Sequence, residues 1–294
     1  MLKELFGKTQ NEKKKNIIRI IYLTVAVILM VSVALAIALA VGSKKDDTLV
    51  PGGDDITDTA TQKVLKYNFS DTKKGTLIVV NKDNSFNFDV NAKSLVSMST
   101  SQFYSLKGAD MKANKEALSA LNSLLKKFYE SAEDKDAAKK LTIWSAYRSF
   151  EEQKGSLPAG NSDFHTGMLF ELTLNGTSDP IKKDAVFSWI FDHAYEYGFV
   201  QRYPSGKSSE TGISDFSNAF RYVGIPHAKY MKEHNLCLEE YVSLIKNATE
   251  PIISDGYKIS YVKANADGQT EITVTSTNYI VSGDNMGGFI VASK

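Results

Sequence analysis

The chemistry available to this chain rests on few residues. It has four histidines and one cysteine, Cys237. The stretch "SDFHTG", residues 162–167, has the look of a metal-site loop, with His165 among short polar residues. Glu171 follows on the next segment, and Asp215 or Asp163 is the carboxylate that could complete a ligand set. One imidazole with carboxylates could hold a zinc ion and leave a position for water. Neighbouring side chains on an extended segment point to opposite sides, so a His165, Glu171, Asp215 site requires a local bulge. The other histidines suit structural roles: His193 on an amphipathic helix, His227 in "GIPHA" as packing, and His234 in "KEHN" on a solvated helix face. The sequence contains no HExxH, P-loop or nucleophile-elbow motif. No base is paired with the serines or the thiol, so nucleophilic catalysis has no support.

Charge and hydropathy place these residues in a chain with a distinctive start. The 294 residues carry a net charge of +1, which gives no overall basic field for nucleic acid. A single cysteine excludes an internal disulfide and a Cys/His zinc knuckle. Residues 1–19 form a basic N-terminus with Lys13, Lys14, Lys15 and Arg19. Residues 20–42 are apolar and uncharged. A helix needs roughly 20 such residues to cross a bilayer, and the positive flank belongs in the cytoplasm. The expectation is a single-pass signal anchor with the rest of the chain outside the cell membrane. A cleaved signal peptide is the competitor, since "ALA" at 38–40 resembles a cleavage site. Residues 43–65 read as a flexible linker. Their Asp46–Asp47 and Asp54–Asp55 pairs lack a calcium-loop pattern.

The remainder reads as α+β. "GTLIVVNK" predicts a strand over residues 76–81, and the leucines of "NKEALSALNSLLKKFYESAE" recur at helical spacing. "LTIWS" and "MLFELTL" predict strands, the second closed by a turn at Asn175–Gly176, and "RSFEEQKGS" predicts a short helix between them. "DAVFSWIFDHAYEYGF" has an apolar helical face, and "FRYVGIPHAKYMKEHNLCLEEYVSLIKNA" begins as a strand and continues as helix. Residues 66–250 form the main domain. Residues 251–294 alternate as a small β appendage, too small for a sizeable core of its own.

The segments "SAYRSFEEQ", "SDFHTGMLFEL", "YGFVQRYPSGK", "TGISDFSNAFRYVG" and "HAKYM" occur in an order that resembles the zinc D-alanyl-D-alanine carboxypeptidases of the VanY, peptidase M15 type. The resemblance covers about residues 66–236 and implies a Hedgehog/DD-peptidase-type fold. Members of that family trim terminal D-Ala from peptidoglycan stem peptides. Their zinc ligands come from S-E-H-Q-T-G-x-A-x-D, and the general-base Glu and last His from E-P-W-H before Y-R-Y-V-G. Alignment through Thr166–Gly167 puts Phe164 on the first ligand position and Glu171 on the ligand Asp. Alignment through residues 221–224 puts Phe216 on the general base and Ala219 on the last ligand His. The resemblance assigns Arg148 to substrate contact, with Ser145, Tyr147, Gln153, Ser162 and Thr166 at neighbouring positions. A purely structural part in the turn is the alternative for each of these neighbours.

Three functional expectations follow. The first is a membrane-anchored pseudoenzyme with no cofactor, which binds peptidoglycan stem peptide or an envelope protein partner without cutting it. The second is an active zinc D,D-carboxypeptidase with a displaced metal site. The third is a purely structural envelope scaffold.

Overall fold

The structure is a computed structural model, and it describes residues 62–91, 94–154, 158–184, 186–214 and 216–294. The basic N-terminus, the apolar run over 20–42 and nearly all of the tether lie outside these residues, as does Asp215. Among the described residues no helix is long and apolar enough to cross a membrane.

In chain order the elements are β1 (Lys63–Tyr67), β2 (Leu95–Ser97), β3 (Ser105–Leu106), β4 (Lys112–Asn114), α1 (Lys115–Ser131), β5 (Leu141–Ser145), β6 (Leu169–Leu174), α2 (Ser188–His193), β7 (Phe199–Tyr203), β8 (Phe216–Tyr222), α3 (Ile225–Glu233) and α4 (Leu238–Asn247). Five strands follow from the C-terminal region: β9 (Ile252–Ser254), β10 (Tyr257–Lys263), β11 (Thr270–Val274), β12 (Tyr279–Gly283) and β13 (Gly288–Ser293). The strand β1 lies partly inside the range read as linker, which shortens that tether.

The central sheet has the order β3-β5-β6-β8-β7. Only β3 and β5 run parallel; the other pairs are antiparallel. Helix α1 starts where the Asn114 side chain accepts bonds from the Glu116 and Ala117 N–H groups, satisfying donors that the first turn leaves unpaired. Its spacing turns Ala117, Leu121, Leu124, Leu125 and Phe128 inward. They join Ile143, Phe170, Leu172 and Phe220 of the sheet in the largest apolar core. Truncating a fully buried ring such as Phe128 to Ala costs about 3–5 kcal/mol in comparable cores.

Two expectations for local structure are corrected. Residues 76–81 are not a strand, although Leu77, Ile78, Val79 and Val80 are buried. Their backbone groups are satisfied without a ladder. Leu77 N–H donates to Ser282 Oγ and Val79 N–H to the Asp284 carbonyl. The Ile78 and Val80 carbonyls accept from the guanidinium groups of Arg221 and Arg202. The "RSFEEQ" segment is a turn and not a helix, with Ser149 N–H bonded to Glu152 and Gln153 N–H to the Ser149 carbonyl.

The C-terminal strands are woven into the main body. The sheet β12-β13-β10-β9 contributes Ile259, Ile290 and Ala292 to a core shared with Leu77, Val79, Met231, Tyr241 and Val242. Strand β1 pairs with β11 along its whole length. Residue 250 is therefore not a boundary between separate cores.

Candidate functional site

Strand register brings the candidate residues together. Ser145 on β5 is paired with Glu171 on β6, and Glu171 is paired with Ala219 on β8. Directly paired residues share a sheet face, so these three side chains form a row on it. Phe164 reaches the same place from a one-turn helix over Asp163–Thr166. The turn closes on Gly167 at φ 66°, where a Cβ would meet the Asn114 backbone N at 2.9 Å. Phe164, Leu169, Tyr203 and Ala219 form one apolar cluster, flanked by Phe216 and Ile213. Phe216 stacks on Tyr203 at 6.1 Å and lies 6.5 Å from Phe164.

Arg148 is the polar centre of the site. Its Nε donates to Ser145 Oγ at 2.8 Å, and its Nη2 lies 3.7 Å from Glu171 Oε2. The guanidinium carbon sits 4.0 Å from the centre of the Phe164 ring, within reach of a cation–π attraction. Burial pulls the Arg148 pKa down, against Glu171 and Tyr203. Burial pushes the Glu171 pKa up, against Arg148 and Lys107. Arg148, Ser145 and Tyr147 line a cavity of about 660 Å³ with Trp144, Lys112 and Glu152. Lys107 lies 3.6 Å above the Trp144 ring.

The residues at this place do not fit a zinc ion. Phe164, Glu171, Phe216 and Ala219 do converge as the alignment requires, but only Glu171 among them has a lone pair to give, and it is directed at Arg148. Among the described residues no group of three or more His, Cys, Asp or Glu side chains could hold a metal.

The displaced set of His165, Glu171 and Asp215 fails for a separate reason. His165 is buried, and both ring nitrogens are engaged. Nδ1 donates to the Arg148 carbonyl at 2.7 Å, and Nε2 accepts from Gly160 N–H at 3.0 Å. Burial lowers its pKa below the usual imidazole value, the Arg148 carbonyl bond opposing this. Its ring packs edge-on against Phe88 at 4.8 Å. Asp215 lies outside the described residues.

Asp163, the other carboxylate considered, belongs to a buried ion cluster. It accepts from Arg202 Nε at 2.6 Å and Arg221 Nε at 3.2 Å, with all three side chains fully buried. Glu239 adds a two-pronged contact to Arg202 at 2.8 and 2.7 Å. Burial works against the Arg202 charge, but Glu239 and Asp163 outweigh it and raise its pKa.

Of the predicted binding residues, the structure gathers Arg148, Ser145 and Tyr147 at the cavity and commits the others elsewhere. The Thr166 hydroxyl donates to the Asp163 carbonyl and accepts from Met168 N–H, so it serves the turn. Ser162 is buried, with its carbonyl accepting from His165 N–H. Gln153 braces its own turn through Ser149 and the Lys154 carbonyl. Sequence reasoning missed Lys112 and Glu152 at the cavity and the Asp163–Arg202–Arg221–Glu239 cluster. The one available signal for the cluster was an arginine flanked by aromatic and apolar strand residues in both "FVQRY" and "FRYVG". The histidines outside the loop carry no site. His227 is buried against the Tyr241 hydroxyl at 2.7 Å, His193 stacks on Trp189 and His234 stacks on Tyr230.

Comparison with known proteins finds consistent likenesses. The family model described as "VanY: D-alanyl-D-alanine carboxypeptidase" matches residues 155–225. A D-alanyl-D-alanine carboxypeptidase of Enterococcus faecium is 32% identical over 182 residues, which is 57% of this chain and 59% of that protein. The putative carboxypeptidase YodJ of Bacillus subtilis (strain 168) is 31% identical over 157 residues, 45% of this chain and 54% of that protein. The chain thus spans between half and two thirds of the length of these two relatives. The crystal structure of the vancomycin-resistance D,D-dipeptidase VanXYg, in complex with a D-Ala-D-Ala phosphinate analog, superposes with a TM-score of 0.67. It is 27% identical, and the match covers 79% of this chain and 98% of that one.

Proposed function

We propose, from the chain's likeness to VanY-type D-alanyl-D-alanine carboxypeptidases, that it binds the C-terminal end of a peptidoglycan stem peptide without hydrolysing it. In this reading residues 20–42 hold it to a cell membrane, with the described residues on the outer side. The observation that carries the proposal is the state of Glu171. The one carboxylate at the family's ligand positions is turned onto Arg148, while Phe164 and Ala219 offer nothing to a metal.

Arg148 supplies the recognition. A guanidinium is permanently charged and can grip a carboxylate through two parallel bonds. Ser145 fixes one of its nitrogens, and Phe164 supports its flat face. Its contact to Glu171 at 3.7 Å is longer than a good charged hydrogen bond, so a ligand carboxylate arriving from the cavity competes for Nη2 on favourable terms.

A second reading has support from the relatives. They are named as D-alanyl-D-alanine carboxypeptidases, which favours an active zinc enzyme with its metal held elsewhere. One preparation separates the two. Metal content is measured by mass spectrometry on chain purified without chelator or added zinc, followed by calorimetry with an acylated D-alanyl-D-alanine peptide. Near-zero metal with saturable binding and no released D-alanine is the expected result. One zinc per chain together with released D-alanine would establish the hydrolase. Neither metal nor binding would favour a scaffold role.

A further inference from the structure

The segment through which the chain enters the described structure displays apolar and basic side chains together. Phe69, just after β1, is 40% exposed, and Met286, in the turn between β12 and β13, is 36% exposed. Val64 on β1 is also exposed, on the strand face opposite Leu65 and Tyr67, which pack inward. We propose that the Phe69–Met286 surface docks on an anionic lipid membrane, the one that residues 20–42 would enter. The inference rests on the reading of residues 20–42 as a membrane segment.

Phe69 and Met286 belong to one surface. Asn285 N–H donates to the Thr72 carbonyl at 2.8 Å, and Gly283 N–H donates to the Lys74 carbonyl at 2.7 Å. These bonds hold the β12–β13 turn against the short helix Phe69–Lys73. The Phe69 ring lies beside Gly287, where an added Cβ would meet it at 3.7 Å, and Met286 is the next residue.

The turn that displays Met286 has a fixed shape. The fully buried Asp284 carboxylate accepts from Met286 N–H at 2.7 Å and from Gly288 N–H at 2.9 Å. The Tyr261 hydroxyl donates to the same carboxylate at 2.9 Å. The Asn285 side chain donates to the Val79 and Ser85 carbonyls. A side chain carried on a backbone held this way loses little further freedom on docking. Single exposed apolar residues are ordinary, but an exposed ring beside an exposed thioether on a braced turn suits an apolar medium.

Charge identifies the medium. Residues 62–75 hold Lys63, Lys66, Lys73 and Lys74 against one acid, Asp71. Lys74 pairs with Asp71 and Lys66 with Glu271, both on the surface, and the lysines outnumber these two acids. Surface pairs of this kind are weak and leave their cations open to a stronger field. An anionic leaflet supplies that field, attracting each lysine that comes near it.

The length of chain outside the described residues supports the same occupant. Residues 43–61 join the apolar run to the described chain. At no more than about 3.6 Å per residue, they reach about 70 Å at most. A surface tethered within that reach meets the membrane at a local concentration on the order of millimolar, so a weak contact suffices to keep it docked.

The test uses the full chain reconstituted into vesicles of phosphatidylglycerol or of phosphatidylcholine, each with brominated acyl chains. Flotation after an alkaline wash first reports whether the chain is held in the bilayer. The reporter is Phe69→Trp, read as the fluorescence added to that of the parent, with melting curves to confirm folding. In phosphatidylglycerol the added emission is expected to be quenched by the brominated chains, and in phosphatidylcholine much less. Lys73→Ala with Lys74→Ala is expected to lower the docked-to-free ratio more than about tenfold. A chain that floats while Phe69→Trp stays unquenched would overturn the docking and leave the membrane segment standing. Equal quenching in both lipids, unaffected by removing the lysines, would overturn the assignment to an anionic surface. A chain that does not float would overturn the membrane segment and the docking together.

Discussion

The buried ion cluster behind the site gives the sharpest prediction about how the chain holds its shape. Asp163 is bonded to two guanidinium groups, and all three side chains are removed from solvent. Replacing Asp163 by Asn keeps the volume and removes the charge. Arg202 retains a carboxylate, because Glu239 grips it with both oxygens. Arg221 retains none. Its remaining partners are the Ile78 and Tyr222 carbonyls and the Met168 sulfur. The amide of Asn can also turn a donor toward the guanidinium. Breaking one side of a buried ion pair costs about 3–5 kcal/mol, since it leaves an uncompensated charge. For a chain of this size 1 kcal/mol moves the melting temperature by about 2–4 °C, so Asp163→Asn should melt about 6–20 °C lower. Urea denaturation read by circular dichroism measures the loss directly. The double variant Asp163→Asn with Arg221→Met should regain more than half of it, because the stranded cation is gone and the Arg202–Glu239 pair remains. A loss below about 1 kcal/mol in the single variant, or no recovery in the double, would refute the view that Asp163 is there to neutralise Arg221.

Other outcomes follow from the same geometry. Arg148→Ala should weaken stem-peptide binding about 10- to 150-fold, the loss of a charged hydrogen-bonded contact of about 1.5–3 kcal/mol, and Arg148→Lys should recover only part of it because the fork is missing; calorimetry measures both. His227 is held neutral by burial, its pKa pushed down to about 3 from 6.5. Below pH 6.5 the unfolded chain takes up a proton that the folded chain refuses, so this contribution is complete above that pH and falls as pH drops toward 3. At pH 5 the loss is about 2 kcal/mol, and His227→Phe should flatten the pH dependence of the urea midpoint over that range. Rebuilding the family's residues with Phe164→His, Glu171→Asp, Phe216→Glu and Ala219→His should confer stoichiometric zinc by mass spectrometry, whereas the parent chain should show near zero.

Much of this architecture was legible because its signals are local. The apolar spacing of "ALSALNSLLKKF" marks α1, and an apolar run with a closing Asn-Gly marks β6. Positions 164, 171, 216 and 219 were legible because Thr166–Gly167 and "RYVG" fix two registers, and the strand pairing that joins Glu171 to Ala219 does the rest. The unread parts depend on distant partners. Residues 77–80 have the composition of a strand, yet their backbone is bonded by Ser282 and Asp284 from one end of the chain and by Arg202 and Arg221 from the middle. No window of sequence contains that information. The fate of Asp163 was hidden in the same way, since its partners lie 39 and 58 residues away.

The residues that fall on the family's ligand positions also make physical sense as a set. A zinc centre without its metal is a cluster of buried polar groups that must find hydrogen bonds or remain costly. Here Phe164 and Ala219 are packed with Leu169 and Tyr203 in a cluster that needs no ion to be stable. The carboxylate that remains, Glu171, is neutralised from within by Arg148. Charge therefore balances at the site with protein groups alone. A single polar residue here would introduce an unpaired polar group; Ala219→His by itself would place an imidazole beside Leu169 and Phe164. The apolar side chains at 164, 216 and 219 and the Arg148–Glu171 contact support one another, and together they leave a guanidinium facing an open cavity as the feature that a ligand can use.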